Sequence, residues 1–443
     1  MNPHTPIYPA IREELFDWRL WTGRGVVLAF AVLAGLTVVV FTWMTEYASE
    51  HFFAFEKKYW WGPLFWTPLC AAAIVWVTRR FVPGATGSGI PQVMAVLSPT
   101  VPKASRGLYV SLKLSISKMF LTAWGLLAGL SLGREGPSVQ VAAGVMHYAR
   151  RWLPDKSQVS DNGLLVAGGA AGIAAAFNTP LGGVMFAIEE LSRKPENRSN
   201  GLIVAAIVLS GLMAVSVYGN ATYFGRIQVQ DLSTALVLPG LMVALCSGVA
   251  GGLFARLLVL SLSGLSPDWF SRLRLNKPVR FAALCGLAVA VLGVVSHGAI
   301  YSSGYHPTQA MLEGMDEASP LYLLLKFMAT WITAWSGVPG GLFAPALAIG
   351  AAIGNDLAQL TNYVNPPTLI ALGMAGFLAA VTQAPLTAFI IVMEMISGHT
   401  LVLSLMASAL VASGVSRLIS PPLYEALAEM QLQRLPPRPA PQT

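Results

Sequence analysis

The sequence predicts an all-α, polytopic membrane protein of two related halves, with broken helices whose N-termini meet at an anion site within the membrane. Three observations predict it. The first is composition. Of 443 residues, 55% are hydrophobic and only 11% charged, and the mean hydropathy is +0.61. A soluble domain carries about 25% charged residues, so a soluble enzyme, a disordered chain and a nucleic-acid binder are excluded. The second is interruption: 42 glycines and 29 prolines cut the apolar segments into pieces, as in transporters with discontinuous helices. The third is internal repetition.

Taken in order, residues 1–24 are polar and of mixed charge (Arg12, Glu13, Glu14, Asp17, Arg19, Arg24) and read as a cytoplasmic segment. No cleavable signal is expected, because the apolar run at 25–43 is too long for one and no A-x-A site follows it. A spanning helix needs about 20 residues. Full-length candidates are 25–48, 63–81, 107–130, 201–218, 235–264, 279–300, 319–335 and 400–417. Shorter pieces are 89–98, 135–149, 164–177, 180–192, 343–360, 368–379 and 385–397. The net charge of +7 gathers in short loops at Arg79-Arg80, Lys103 and Arg106, Arg150-Arg151, Arg193-Lys194 and Arg272 to Arg280. Such clusters mark cytoplasmic loops. Cys70, Cys246 and Cys285 lack metal or disulfide spacing and read as packing residues.

Residues 174–192 (AAAFNTPLGGVMFAIEELS) and 379–397 (AAVTQAPLTAFIIVMEMIS) match at an offset of 205, pairing Pro180 with Pro385, Leu181 with Leu386 and Glu189 with Glu394. A weaker match joins 133–144 to 341–352 through Pro137 and Pro345. The expected organisation is a first membrane repeat at 25–218, a linker at 219–234, a second repeat at 235–430 and a disordered tail at 431–443. Halves of this kind place a substrate site at their interface near mid-membrane.

Three Gly/Pro knots carry the chemistry: Gly87-Ser88-Gly89-Ile90-Pro91, Gly133-Arg134-Glu135-Gly136-Pro137 and Gly337 through Pro345. In each, proline opens a helix whose first amides are left uncovered, and a helix N-terminus attracts anions. Ser88 reads as an uncharged hydroxyl ligand or as an N-cap. Glu135 reads as a carboxylate that occupies the anion site and leaves it on protonation, or as the partner of Arg134 in a salt bridge that fixes the loop. One of Glu189 and Glu190 reads as a proton entry point, against a solvated helix end; Glu394 reads as a structural cap. Lys113, Lys118 and Lys326 either bias the potential towards anions or snorkel. Tyr424 reaches an ion or sits in an interfacial belt. An intramembrane serine hydrolase would need Ser88 paired with His147 or His297, and nothing in the pattern supports the pair.

The three knots, in this order and spacing, resemble the CLC family of chloride channels and chloride/proton exchangers, over about residue 25 to Tyr424. The resemblance implies two inverted repeats, a homodimer through about 180–218 and 385–417, and one pore per subunit. It implies that Ser88 and Tyr424 hold chloride with the amides of Leu342 and Phe343. It further implies that Glu135 is the gating and proton glutamate, with Arg134 and Gly136 at the outer site, and that Glu190 is the internal proton-transfer glutamate. Lys118 matches a lysine the family often carries. Glu190 favours an exchanger over a passive channel, and Ser88 favours chloride over nitrate. The GREGP knot with Ser88 argues against the fluoride-exporting branch. Gln92 stands where many members have Glu. With 19 residues after Tyr424, no paired regulatory domains are expected, which suggests a prokaryotic member in a bacterial inner membrane. No metal, cofactor or nucleic acid is expected; chloride, protons and lipid are the partners.

Overall fold

A computed structural model describes residues 18–154, 159–192, 200–219, 222–225, 234–264, 267–315 and 319–433. Residues 1–17, the Arg193-Lys194 pair, most of the 219–234 linker and residues 434–443 of the tail lie outside the described residues. The described chain forms eighteen α-helices and no strand. The first half holds α1 (Trp18–Lys58), α2 (Pro63–Phe81), α3 (Ile90–Leu97), α4 (Leu112–Leu127), α5 (Glu135–Tyr148), α6 (Asp161–Phe177), α7 (Pro180–Phe186) and α8 (Asn200–Tyr218). The second holds α9 (Val237–Ser263), α10 (Trp269–Asn276), α11 (Pro278–Val295), α12 (Tyr305–Glu313), α13 (Leu321–Ser336), α14 (Phe343–Thr361), α15 (Pro366–Thr382), α16 (Pro385–Met395) and α17 (Val402–Arg417). The last helix, α18, is Leu423–Gln433.

Local chemistry sets the breaks. Proline occupies the first turn of α2, α3, α7, α11, α15 and α16, where its missing N–H costs nothing. At the other ends, Asn178 and Gln383 take left-handed conformations (φ 57° and 59°) that stop α6 and α15. Amide-bearing side chains tolerate that region better than most. These two residues are mates at the offset of 205.

Helices α6 and α15 form the centre, with every residue from Gly163 to Phe177 and from Thr368 to Thr382 buried. Small residues allow this. A side chain at Gly168 would strike the backbone of α5, and one at Gly373 the backbone of α14. Where no water competes, such close packing supplies much of the helix association.

Among the described residues, six helical segments are long and apolar enough to cross a membrane: Trp18–Lys58, Ser105–Leu127, Gly201–Tyr218, Thr234–Ser263, Pro278–Val295 and His399–Arg417. Helices α2 and α13, expected among the full-length spans, are not; α13 has only 16 residues. The expected 279–300 span stops at Val295, after which the chain turns through His297 at φ 52°. Helix α1 overruns its expected span by about three turns, because Thr45, Ala48 and Phe52 continue its buried face beyond the apolar run.

The halves lock together through a reciprocal device. Glu394, at the end of α16, accepts from the amides of Leu181 (3.2 Å) and Gly182 (2.7 Å) at the start of α7. Glu189 accepts from the amides of Leu386 (3.1 Å) and Thr387 (2.7 Å) at the start of α16. Each carboxylate caps the other half's helix, where the dipole also favours it. The expected structural role of Glu394 therefore extends to Glu189, which is not a free helix end although it lines the same cavity as Glu190.

Candidate functional site

The first knot is a loop held from three sides. Gly87 (φ 77°) and Gly89 (φ 105°) lie in the region that favours glycine. Lys118 Nζ, from α4, donates to the carbonyls of Ala85 (2.7 Å) and Gly87 (2.5 Å). Gln140 Nε2, from α5, donates to the carbonyls of Gly84 (3.0 Å) and Tyr109 (2.7 Å). Gln92 Nε2 reaches back to the carbonyl of Thr86. Gly89 is the N-cap of α3, and no side chain caps that helix. The N-cap reading of Ser88 therefore fails. Its hydroxyl is buried and has no hydrogen-bond partner among the described residues.

The second and third knots bond to each other. Gly133 N donates to Gly341 O (2.9 Å), and Gly341 N donates to Gly133 O (2.7 Å). Gly340 N donates to Gly87 O at 3.2 Å, which ties in the first knot. Gly136 must lack a side chain: a Cβ there would lie 3.0 Å from Ser88 O and 3.3 Å from Gly341 Cα. Three separate stretches of sequence are thus one packed assembly.

Two helix N-termini open there. Glu135 is the first residue of α5 and Phe343 the first of α14. The first helical bond of α14 runs from Ala346 N to Leu342 O at 2.9 Å. The amides of Leu342, Phe343 and Ala344 have no acceptor within the helix. The Phe343 ring stacks on Tyr424, with centroids 6.0 Å apart and planes at 17°. Tyr424 is 1% exposed, so it is not an interfacial belt residue. Its hydroxyl, like that of Ser88, finds no partner among the described residues.

Glu135 is 1% exposed, and no hydrogen bond of good geometry reaches its carboxylate. The amides of Arg134, Glu135 and Ala344 lie close enough to act on its charge. Arg134 does not pair with it. The guanidinium instead binds Glu46 on α1 at 2.9 Å, which overturns the Arg134–Glu135 salt bridge. A cavity of about 420 Å³ opens beside Glu135, lined also by Glu46, Arg134, Tyr223 and Tyr305.

Glu190 lies in a widened turn that continues α7. It is 8% exposed and lines a second cavity, of about 330 Å³, with Gln383, Arg417 and Glu425. No residue lines both cavities. Asn178 opens into the first and its mate Gln383 into the second. Equivalent helix ends thus face different spaces, as inverted halves require. Tyr424 lies within electrostatic reach of both Glu135 and Glu190.

The lysines divide. Lys113 is exposed, whereas Lys118 and Lys326 are fully buried and do not snorkel. Lys326 Nζ donates to the carbonyls of Ile300 (2.9 Å) and Ser302 (2.8 Å), in the loop before α12. Lys118 does the same in the loop before α3. The two are mates at an offset of 208, the offset that joins Pro137 to Pro345. That register was available in the sequence as a signal for their shared role. Glu46 and Gln140 carried no comparable signal: Glu46 lies outside the knots and repeats, and Gln140 meets Ala348 at the offset of 208. The hydrolase pair does not form. Gly136 packs on Ser88 while His147 lies eleven residues further along the same helix, about 16 Å away. Gly298, beside His297, packs against Glu56 at the far end of α1.

This fold and its convergent helix N-termini define a multi-pass integral membrane protein of the transport class. The chain belongs to the voltage gated chloride channel family, which matches residues 69–417. It is 30% identical over 386 residues to the H(+)/Cl(-) exchange transporter ClcA of Klebsiella pneumoniae, covering 83% of this chain and 78% of that protein. It is 29% identical over 373 residues to ClcA of Vibrio parahaemolyticus, covering 81% and 77%. Among solved structures it resembles a slow cyanobacterial Cl-/H+ antiporter, with a TM-score of 0.77 at 24% identity over 94% of this chain and 98% of that one. A CLC-type fluoride/proton antiporter gives a TM-score of 0.75 at 22% identity over 96% and 99%. At those identities the structural likeness establishes the fold.

Proposed function

We propose that the protein is a secondary active transporter that exchanges chloride for protons, with Glu135 as gate and proton carrier. One observation carries the reading: two buried hydroxyls, Ser88 on the knot that Gly340 joins and Tyr424 on the ring stacked against Phe343, have no hydrogen-bond partner among the described residues. A buried hydroxyl left unbonded is costly, and a dehydrated anion is what such donors complete. Neutral donors compensate the ion for its lost water without binding it too tightly to release. Lys118 sets the loop that carries Ser88 and is a positioning residue.

Glu135 competes with chloride for the amides nearest its carboxylate, those of Arg134, Glu135 and Ala344. Ionised, it fills the outer site; protonated, it loses that attraction and gives way to chloride. Chloride and proton thereby share a path at Glu135, with the amides of Arg134 and Gly136 beside it. Towards the cytoplasm the paths part, the proton moving by way of Glu190 and its cavity. The ClcA relatives are exchangers by name, and the carboxylate at Glu190 favours coupling over a passive channel. The gradients supply the energy, and no cofactor takes part. The bacterial relatives support an inner-membrane location. The two halves, 25–218 and 235–430, act as inverted repeats joined by 219–234. The unit is a homodimer with one pore per subunit.

The test is proton movement in proteoliposomes under a chloride gradient, with voltage clamped by potassium and valinomycin. Uphill proton movement driven by chloride is expected. Chloride flux without it would make the protein a channel.

A further inference from the structure

Glu46 has no place in the reading above, yet α1, continuing past its apolar run at 25–43, carries it to the Glu135 cavity. That cavity is an odd entrance for an anion. Its described lining holds three carboxylates (Glu46, Glu50 and Glu135) against two basic side chains, Arg134 and the exposed His306. Arg134 is the basic group next to the gate, and its guanidinium is nearly buried (12% exposed). Glu46 is 48% exposed and meets it at 2.9 Å. The guanidinium also lies 3.4 Å from Thr45 Oγ1 and 6.0 Å from the Tyr223 ring centroid. Its position therefore does not depend on Glu46 alone.

We infer that Glu46 sets the anion affinity of the outer mouth: by ion-pairing with Arg134 it offsets a positive charge that would otherwise hold chloride beside the gate. This rests on the proposed exchange at Glu135. The physical need is plain. An unpaired guanidinium in a low-dielectric vestibule attracts anions strongly. A transported ion must also leave, and the Glu135 carboxylate must return to the site the ion occupied. A carboxylate paired to Arg134 but half in water tempers the field without filling the path. The overrun of α1 past the apolar run, with Thr45, Glu46, Ser49 and Glu50 on the cavity face, has this consequence.

Glu46→Gln removes the charge and keeps an oxygen that accepts from Arg134. Chloride binding is measured by calorimetric titration of the purified protein at constant ionic strength, beside the liposome exchange assay. Wild-type protein must bind chloride and exchange it for protons; failure there overturns the proposed function itself. Given that, Glu46→Gln is expected to bind chloride about three- to tenfold more tightly, the effect of one unit charge at the distance of a neighbouring side chain. Glu46→Ala is expected to show the same gain, since charge decides. Unchanged affinity in Glu46→Gln overturns the inference. So does a change in Glu46→Ala alone, because Glu46 would then only anchor Arg134.

Discussion

Ser88 and Tyr424 each bury a hydroxyl that no described residue bonds, at a cost of about 1–3 kcal/mol apiece. Removing such a group relieves a penalty in the folded protein, so Ser88→Ala and Tyr424→Phe are expected to melt at or above the wild-type temperature in chloride-free detergent. The same changes are expected to weaken chloride binding and, for Ser88→Ala, to lower the preference for chloride over nitrate. A fall in melting temperature with unchanged anion selectivity would mean that the hydroxyls are structural. Glu135 makes the complementary case. Glutamine keeps its size and removes its charge and its proton, so Glu135→Gln is expected to abolish proton movement and retain chloride flux in liposomes. Glu190→Ala is expected to uncouple protons while sparing chloride; coupling that survives it would send the internal proton by another route.

At the scale of the element, carboxylates and lysines do the holding. Glu189→Gln keeps one acceptor for the α16 amides but loses the charge that the helix dipole favours. The expected cost is about 1 kcal/mol, read as a lower melting temperature, with the proton-to-chloride ratio unchanged. An altered ratio would return Glu189 to the proton path. Glu394→Gln should cost a similar amount, because the two caps are related by the repeat. Lys118→Met and Lys326→Met each strand two buried carbonyls, at about 2–5 kcal/mol. Only Lys118→Met is expected to weaken chloride binding as well, since its loop carries Ser88.

These elements also show what the sequence disclosed and where it stopped. The broken helices were legible because proline and glycine act locally. The caps were half legible: Glu394 stood in register with Glu189, but which amides each would meet depended on how the halves face each other. The Lys118–Lys326 pair was missed because the repeat does not keep one offset. It is 208 at the lysines and 205 at the caps, while the loops before α3 and α12 differ in length. The reach of α1 was underestimated because its last turns are polar on one face, and hydropathy sees only the average. Ser88 also read as a cap until the structure placed Gly89 in that position.

For the molecule as a whole, α7 and α16 stand out as short helices at the surface of the chain. Helix α7 has 7 residues and runs on for 5 more in its widened turn, and α16 has 11, about 18 and 16 Å against a hydrocarbon core near 30 Å. Their broken ends, with Leu181 54% exposed and Leu386 38% exposed, lie at the surface of the monomer. Glu394 and Glu189 cap the first amides of these helices from within the chain, so what the single chain leaves uncovered there is apolar side chain. In the proposed homodimer a second copy would lie against α7, α8, α16 and α17, where the exposed Ile188, Leu212, Leu403 and Leu410 would supply the apolar contact. Every proposed site residue comes from one chain, so the proposed dimer would serve burial and not complete the pore. Tryptophan at Leu181 and Leu386, mates in the repeat, should separate the subunits without touching the site. The expected result is a dimer by cross-linking in membranes for the wild type and a monomer for Leu181→Trp/Leu386→Trp, with proton-coupled chloride flux retained per chain. A variant that stays dimeric would move the interface elsewhere. A folded monomer without flux would mean that the pore needs both chains.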